Sequence, residues 1–304
     1  MNLRSSKLKT FFTQPLSPDI WGVYRIAIAL FCLLEYGLLF PDLIFLFGKD
    51  GMVIWNVNDY LVSTYLPTFG KLAGLPIFRD IAPDTFLYGF YFLFIAALLG
   101  MLAGWKANLM AFFAWVFHML FFHTGRLGAY GLESFVSISL FYATFAPIGQ
   151  AFTVRHLSGR ANPGQASEWS RLSLRVLQLH LCIVYLASGV EKAMGHEWWT
   201  GDAIWYSLME EQFRQFDFTW MAEMPWVAQG ICWVTLLVET GYALFIWIPA
   251  TRKIWLLAMI GLHIGIIFGM GLHLFGMVMI LLNLLAFGGV LRPLRSGKDD
   301  SMLE

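Results

Sequence analysis

The chain has 304 residues, of which 58% are hydrophobic and only 13% are charged, against about a quarter charged in a soluble domain. Its formal net charge is +0, so no bulk field draws it toward nucleic acid, and no basic patch interleaved with aromatics offers a strand-binding groove. Nucleic acid is excluded as a partner, and the solvent for most of this surface must be lipid.

At the N-terminus, Arg4, Lys7 and Lys9 precede a long apolar run that lacks a small-residue cleavage site. It reads as the first retained span rather than a signal peptide. A bilayer crossing takes about 20 mostly apolar residues. Eight runs qualify, near 20–40, 84–104, 107–123, 131–149, 172–193, 226–248, 253–270 and 272–290. The fold expected is therefore all-α: a polytopic membrane helix bundle of about eight spans, one transmembrane domain over 1–304 with no soluble C-terminal domain. Gly269 and Gly271 make the last turn tight, so the final two runs are read as a hairpin or a partly re-entrant pair.

Lys and Arg fall in alternate connections. Lys106, then Arg155, Arg160, Arg171 and Arg175, then Arg252 and Lys253, and finally Arg292, Arg295 and Lys298 share a side with the N-terminus. The intervening 194–225 loop is acidic, with Glu197, Asp202, Glu210, Glu211, Asp217 and Glu223 against Arg214. An N-in, C-in topology satisfies the whole alternation. Residues 41–83 and 194–225 are then outer loops. Their Trp and Tyr content suggests short helices lying in the interface.

Three cysteines, Cys32, Cys182 and Cys232, sit inside apolar runs without a C-x-x-C and read as small core hydrophobes. Gly261, Gly265 and Gly269 recur every fourth residue, a spacing read as a close-packing stripe. No internal repeat or low-complexity tract is evident.

Ionisable residues inside spans are costly and mark candidate sites. On this topology Glu35, His118, His123, Glu133, Glu191, Lys192, His263 and His273 fall in the outer half, while His180 and Glu239 lie near mid-membrane. Such sidedness suggests a pocket opening outward. Glu239 is expected to pair with a mid-membrane partner such as His180, and Asn283 to act as interhelical glue. Glu191 and Lys192 are adjacent, so on a helix they point about 100° apart. Lys192 reads either as a snorkelling anchor or, if desolvated, as a base. His118 and His263 read first as interhelical hydrogen-bonders, and Glu133 either as a helix-start carboxylate or as a pocket residue. His118 and His123 lack metal-ligand spacing, and none of G-x-x-x-x-G-K-[ST], H-E-x-x-H or G-x-S-x-G occurs. No metal is expected.

Tyr185-Leu186-Ala187-Ser188-Gly189-Val190-Glu191-Lys192 with Trp198-Trp199-Thr200-Gly201, Tyr130-Gly131-Leu132-Glu133-Ser134-Phe135, and Leu262-His263 followed by Leu274-Phe275-Gly276-Met277-Val278-Met279 together resemble the horizontally transferred transmembrane (HTTM) domain. That domain is the membrane part of vitamin K-dependent γ-carboxylases and their microbial relatives. Pro18-Asp19-Ile20 with Arg25-Ile26 is also typical of it. The resemblance implies a membrane enzyme with an outward chamber, in which a reduced quinone reacts with O2 to give a strong base and CO2 adds to a glutamate. It implies Lys192 as the catalytic base, supported by His263 and Glu133. Trp198, Trp199, His273 and Arg126 would line the quinone site, Arg126 standing where the family has a histidine. The family's preceding basic position is Glu191 here. The implied partners are membrane lipid and a secreted peptide or protein substrate, and the expected compartment is a bacterial inner membrane with the active side non-cytoplasmic. A non-catalytic membrane scaffold or maturation partner for a secreted peptide is the alternative.

Overall fold

The computed structural model describes residues 3–162 and 164–291. Arg292, Arg295 and Lys298 lie outside the described residues, as do the side chains of Arg4 and Lys7. The described chain is helical. Its only extended pairing among those residues is an isolated bridge between Leu16 and Ser167. Six helical stretches are long and apolar enough to cross a membrane: Asp19–Phe47, Pro83–Ala103, Ala107–Thr124, Glu168–Met194, Pro225–Phe245 and Arg252–Met270. This is a multi-pass membrane protein.

The fourth and eighth expected spans are shorter than the sequence suggests. Leu132–Phe145 has 14 residues and His273–Phe287 has 15, about 21–22 Å of helix at 1.5 Å per residue against a core of about 30 Å. The fourth stops early because Pro147 follows Ala146, and a residue before proline is driven out of the α region. Ala146 is extended, at φ −71° and ψ 158°. The eighth starts where expected, after Gly271 turns the chain at φ +69°, a left-handed conformation that suits glycine, and its α-helix ends at Phe287, where Gly288–Leu291 continues as a 3-10 turn.

The described chain forms two compact units. Residues Thr13–Ser173 make one. Within it the fully buried Arg25 guanidinium donates to the carbonyls of Ile148 (3.0 Å), Ala151 (3.2 Å) and Phe152 (2.7 Å), fastening the connector that follows Leu132–Phe145. Tyr36 donates to His118 Nδ1 at 3.0 Å, and His118 Nε2 donates to the Glu133 carbonyl at 2.8 Å. His118 is thus an interhelical hydrogen-bonder with both ring nitrogens used. The 41–83 loop carries short helices Leu43–Phe47, Trp55–Leu61 and Phe69–Ala73, tied down where Asn58 donates to the His123 carbonyl at 3.0 Å.

The other unit comprises the segment up to Phe12 and the chain from Leu174 onward. Its first element, helix Leu3–Thr13, was not expected. Phe11 takes a hydrogen bond from Arg175 Nε at 3.1 Å through its carbonyl and offers its ring face to the same guanidinium at 3.9 Å. The core here is the second half of Glu168–Met194 packed with Pro225–Phe245, Arg252–Met270 and His273–Phe287.

The glycine stripe behaves differently from expectation. An added Cβ at Gly261 or Gly265 would meet open space, so these positions are not where helices close up. The tight approaches are at Gly276, against the His263 carbonyl and Ile267, and at Gly189, against Thr240 and Glu239. The three cysteines are buried and free, as core hydrophobes should be.

Candidate functional site

Tyr185, Ser188, Gly189 and Lys192 recur at three- and four-residue spacing, so they form one stripe along a helix. Across from them run Glu239, Thr240 and Tyr242 of the antiparallel helix Pro225–Phe245. Contact is made rung by rung. Tyr185 and Tyr242 rings lie 4.8 Å apart. Gly189 lets the backbones approach, since a Cβ there would stand 2.9 Å from the Thr240 backbone nitrogen. One turn further, Lys192 Nζ donates to both Glu239 oxygens, at 2.8 and 3.1 Å, and to the Ser188 hydroxyl.

The two partners of this salt bridge are unequally buried: the Lys192 side chain is 24% exposed and that of Glu239 only 8%. The Trp198 ring lies 5.4 Å from the same ammonium, within cation–π range. Both Glu239 oxygens lie within hydrogen-bond distance of the Lys192 amine, so Glu239 holds the lysine in place. The carboxylate relevant to Lys192 is therefore Glu239, not the adjacent, exposed Glu191. The expected pairing of Glu239 with His180 does not occur.

A second polar group lies at the tyrosine level. Tyr242 donates to Asn283 Oδ1 at 2.6 Å, Asn283 Nδ2 donates to the Tyr185 oxygen at 2.5 Å and to the Met279 carbonyl at 2.8 Å, and Tyr185 lies 2.9 Å from His263 Nε2. Asn283 is interhelical glue, as its place in an apolar run suggests. His263 is 3% exposed.

No family model, curated protein or solved structure matches this chain. The site is therefore read from its own geometry. Of the residues named from sequence, Lys192, Trp198 and His263 belong to this unit's polar ladder. Trp199 is half exposed and donates its indole N–H to the Ala193 carbonyl at 2.8 Å. His273 is exposed. Glu133 and Arg126 belong to the Thr13–Ser173 unit. There Glu133 accepts the Tyr130 backbone N–H at 3.2 Å, and Arg126 is exposed on a 3-10 turn. Burial, with help from the Glu133 and Glu35 carboxyls, pushes the Tyr130 phenol up to about 12. Among the described residues no three His, Cys, Asp or Glu side chains gather as a metal site.

The sequence reading singled out Glu239 but paired it with His180 in place of Lys192, for a geometric reason. Its depth, counted from the start of its helix, differs from that of Lys192 counted from the end of its own. Those ends are staggered. The short helices Glu197–Thr200 and Asp202–Met209 pack beside the first turns of Pro225–Phe245, where Gln229 and Trp233 donate to the Trp199 carbonyl at 2.9 and 3.2 Å. Glu239 thereby sits level with Lys192.

Gly189→Ala tests the ladder. A methyl group 2.9 Å from a backbone nitrogen cannot be relieved by a side-chain rotation, so the helices must part. Thermal unfolding in detergent should show a loss of about 1–3 kcal/mol, the usual cost of overpacking, and Lys192 should gain reactivity toward an amine reagent. Unchanged melting and labelling would show that the close approach is not needed.

Proposed function

We propose that this chain is an eight-span, N-in and C-in membrane enzyme of the HTTM type. It oxidises a reduced quinone-like lipid with O2 at a site open to the non-cytoplasmic side, as in a bacterial inner membrane. The observation that carries the reading is the Lys192–Glu239 pair, an acid and a base in hydrogen-bond contact (2.8 Å) between two apolar helices. In lipid, a paired carboxylate and ammonium are a costly arrangement associated with function.

Each group has a part. The Glu239 carboxylate accepts the proton of a hydroxyl presented to the pair. The Lys192 ammonium then faces the oxygen left behind and offsets its charge, in the manner of a preorganised donor. Ser188 fixes the lysine, and Trp198 closes one side of it. A reduced quinone supplies the electrons: one oxygen atom of O2 enters the epoxide and the other leaves as water. CO2 addition to a glutamyl side chain is the coupled reaction that the resemblance implies. The interfacial placement of the outer-loop helices belongs to the same proposal, supported by their exposed Trp199, Tyr206 and Trp220. Those exposed rings also favour the second reading, a scaffold for a secreted peptide without chemistry of its own.

Membranes holding the protein, given a reduced naphthoquinone and O2, should form epoxide, and Lys192→Ala should lower the rate at least about 100-fold, the range of a lost acid–base or oxyanion group. No epoxide from the native protein, or equal rates from both proteins, would end the enzymatic reading and leave the scaffold.

A further inference from the structure

The hydrogen bonds around one imidazole favour a single tautomer. The Met279 carbonyl can only accept, so the Asn283 atom facing it at 2.8 Å is the amide nitrogen. The same nitrogen points its second hydrogen at the Tyr185 oxygen (2.5 Å), and Asn283 Oδ1 takes the Tyr242 hydroxyl (2.6 Å). Tyr185, already an acceptor from Asn283, has His263 Nε2 at 2.9 Å within reach of its own hydrogen, and donating there leaves the fewest buried groups unpaired. In that arrangement Nε2 accepts, and a neutral His263 carries its proton on Nδ1.

That Nδ1–H is buried and has no protein partner. His118, the other fully interior histidine bonded to a tyrosine, is different: its Nδ1 accepts and its Nε2–H donates, and nothing is left over. A buried donor without an acceptor is unfavourable. Three helices and three polar side chains, Tyr185, Tyr242 and Asn283, are nonetheless spent on fixing this one in place.

We infer that His263 Nδ1–H is a binding-site donor held for a carbonyl or oxyanion oxygen of the bound lipid, with Tyr185, Asn283 and Tyr242 as positioning residues that lock the tautomer. This rests on the reading of the ladder as the site of an oxygen-bearing, quinone-like substrate. It assigns His263 the role of donor and excludes that of proton acceptor at Nε2, because Tyr185 already occupies that lone pair. A ligand offering only donors at this point, such as an amine or a metal-bound water, is also excluded.

The test has two parts. In 15N-histidine-labelled native protein in nanodiscs, nuclear magnetic resonance should find the His263 proton on Nδ1, and addition of an alkyl-1,4-naphthoquinone should shift that resonance. Asn places an N–H where the histidine has Nδ1, whereas Gln places its amide where Nε2 lies. His263→Asn should therefore hold the naphthoquinone within about threefold of the native protein, and His263→Gln should weaken it about tenfold, one hydrogen bond's worth. A purely structural histidine predicts the reverse order, because Gln preserves the bond from Tyr185. A proton found on Nε2 overturns the inference, and so does a resonance indifferent to the quinone. Absence of epoxide together with a shifted resonance would sink the turnover reading while leaving this one standing.

Discussion

Lys192→Met should destabilise the protein more than Glu239→Gln, and the double substitution should cost less than Lys192→Met alone. The asymmetry follows from burial. Removing the lysine strands a carboxylate only 8% exposed, whereas removing the glutamate strands a more exposed amine, at 24%, on a longer and more flexible side chain. Breaking a fully buried ion pair from one side costs about 3–5 kcal/mol, while replacing both partners by groups of similar volume is often neutral. Lys192→Met should therefore cost about 3 kcal/mol and Glu239→Gln about 1–2 kcal/mol, since partial exposure discounts the penalty. The double variant should fall within about 1 kcal/mol of the native protein. A double-mutant cycle of unfolding in mixed micelles reads all three values, and strictly additive single effects would show that the two groups do not interact.

Asn283→Leu should have an effect of comparable size through a different route. Asn283 is fully buried and takes part in three hydrogen bonds, to Tyr242, Tyr185 and Met279. Leucine fills the volume but leaves the Tyr242 hydroxyl, itself fully buried, with no acceptor. One stranded donor costs about 1–3 kcal/mol and each lost bond about 1 kcal/mol, for a total of about 3 kcal/mol. The Tyr185 oxygen would lose the donor that directs its own proton toward His263, so the tautomer lock should loosen with the stability. Thermal unfolding and the histidine resonance should change together. A variant as stable as the native protein would mean that Tyr242 finds another acceptor.

The all-helical class and most of the helices were legible in the sequence because lipid leaves an apolar helix few alternatives. Helix ends were legible where proline or glycine set them, as at Gly271, and were misread over 131–149, where Pro147 ends the fourth helix before its apolar run ends. Asn283 and His118 were read correctly as interhelical hydrogen-bonders, since a lone polar group in an apolar helix has to find a partner. Glu239 was assigned the wrong partner, because depth counted from helix ends ignores the stagger that the 197–209 segment imposes. The useful signal was present but unused: Gly189 stands one turn before Lys192, marking the place where a neighbouring helix comes close enough to pair with it. The helix at the N-terminus carried no such signal. Leu3–Thr13 is not apolar enough to be read as a span, and its docking through Phe11 onto Arg175 depends on a residue far along the chain.

The central claim is that the Lys192–Glu239 pair is retained for proton transfer rather than for stability. The Lys192→Met/Glu239→Gln double variant separates the two, because it is expected to fold about as well as the native protein. Its rate of epoxide formation from a reduced naphthoquinone under O2, in reconstituted membranes beside the native protein, is the deciding quantity. The account predicts rapid turnover by the native protein and essentially none by the folded double variant. Epoxide formed by the double variant at the native rate would contradict it.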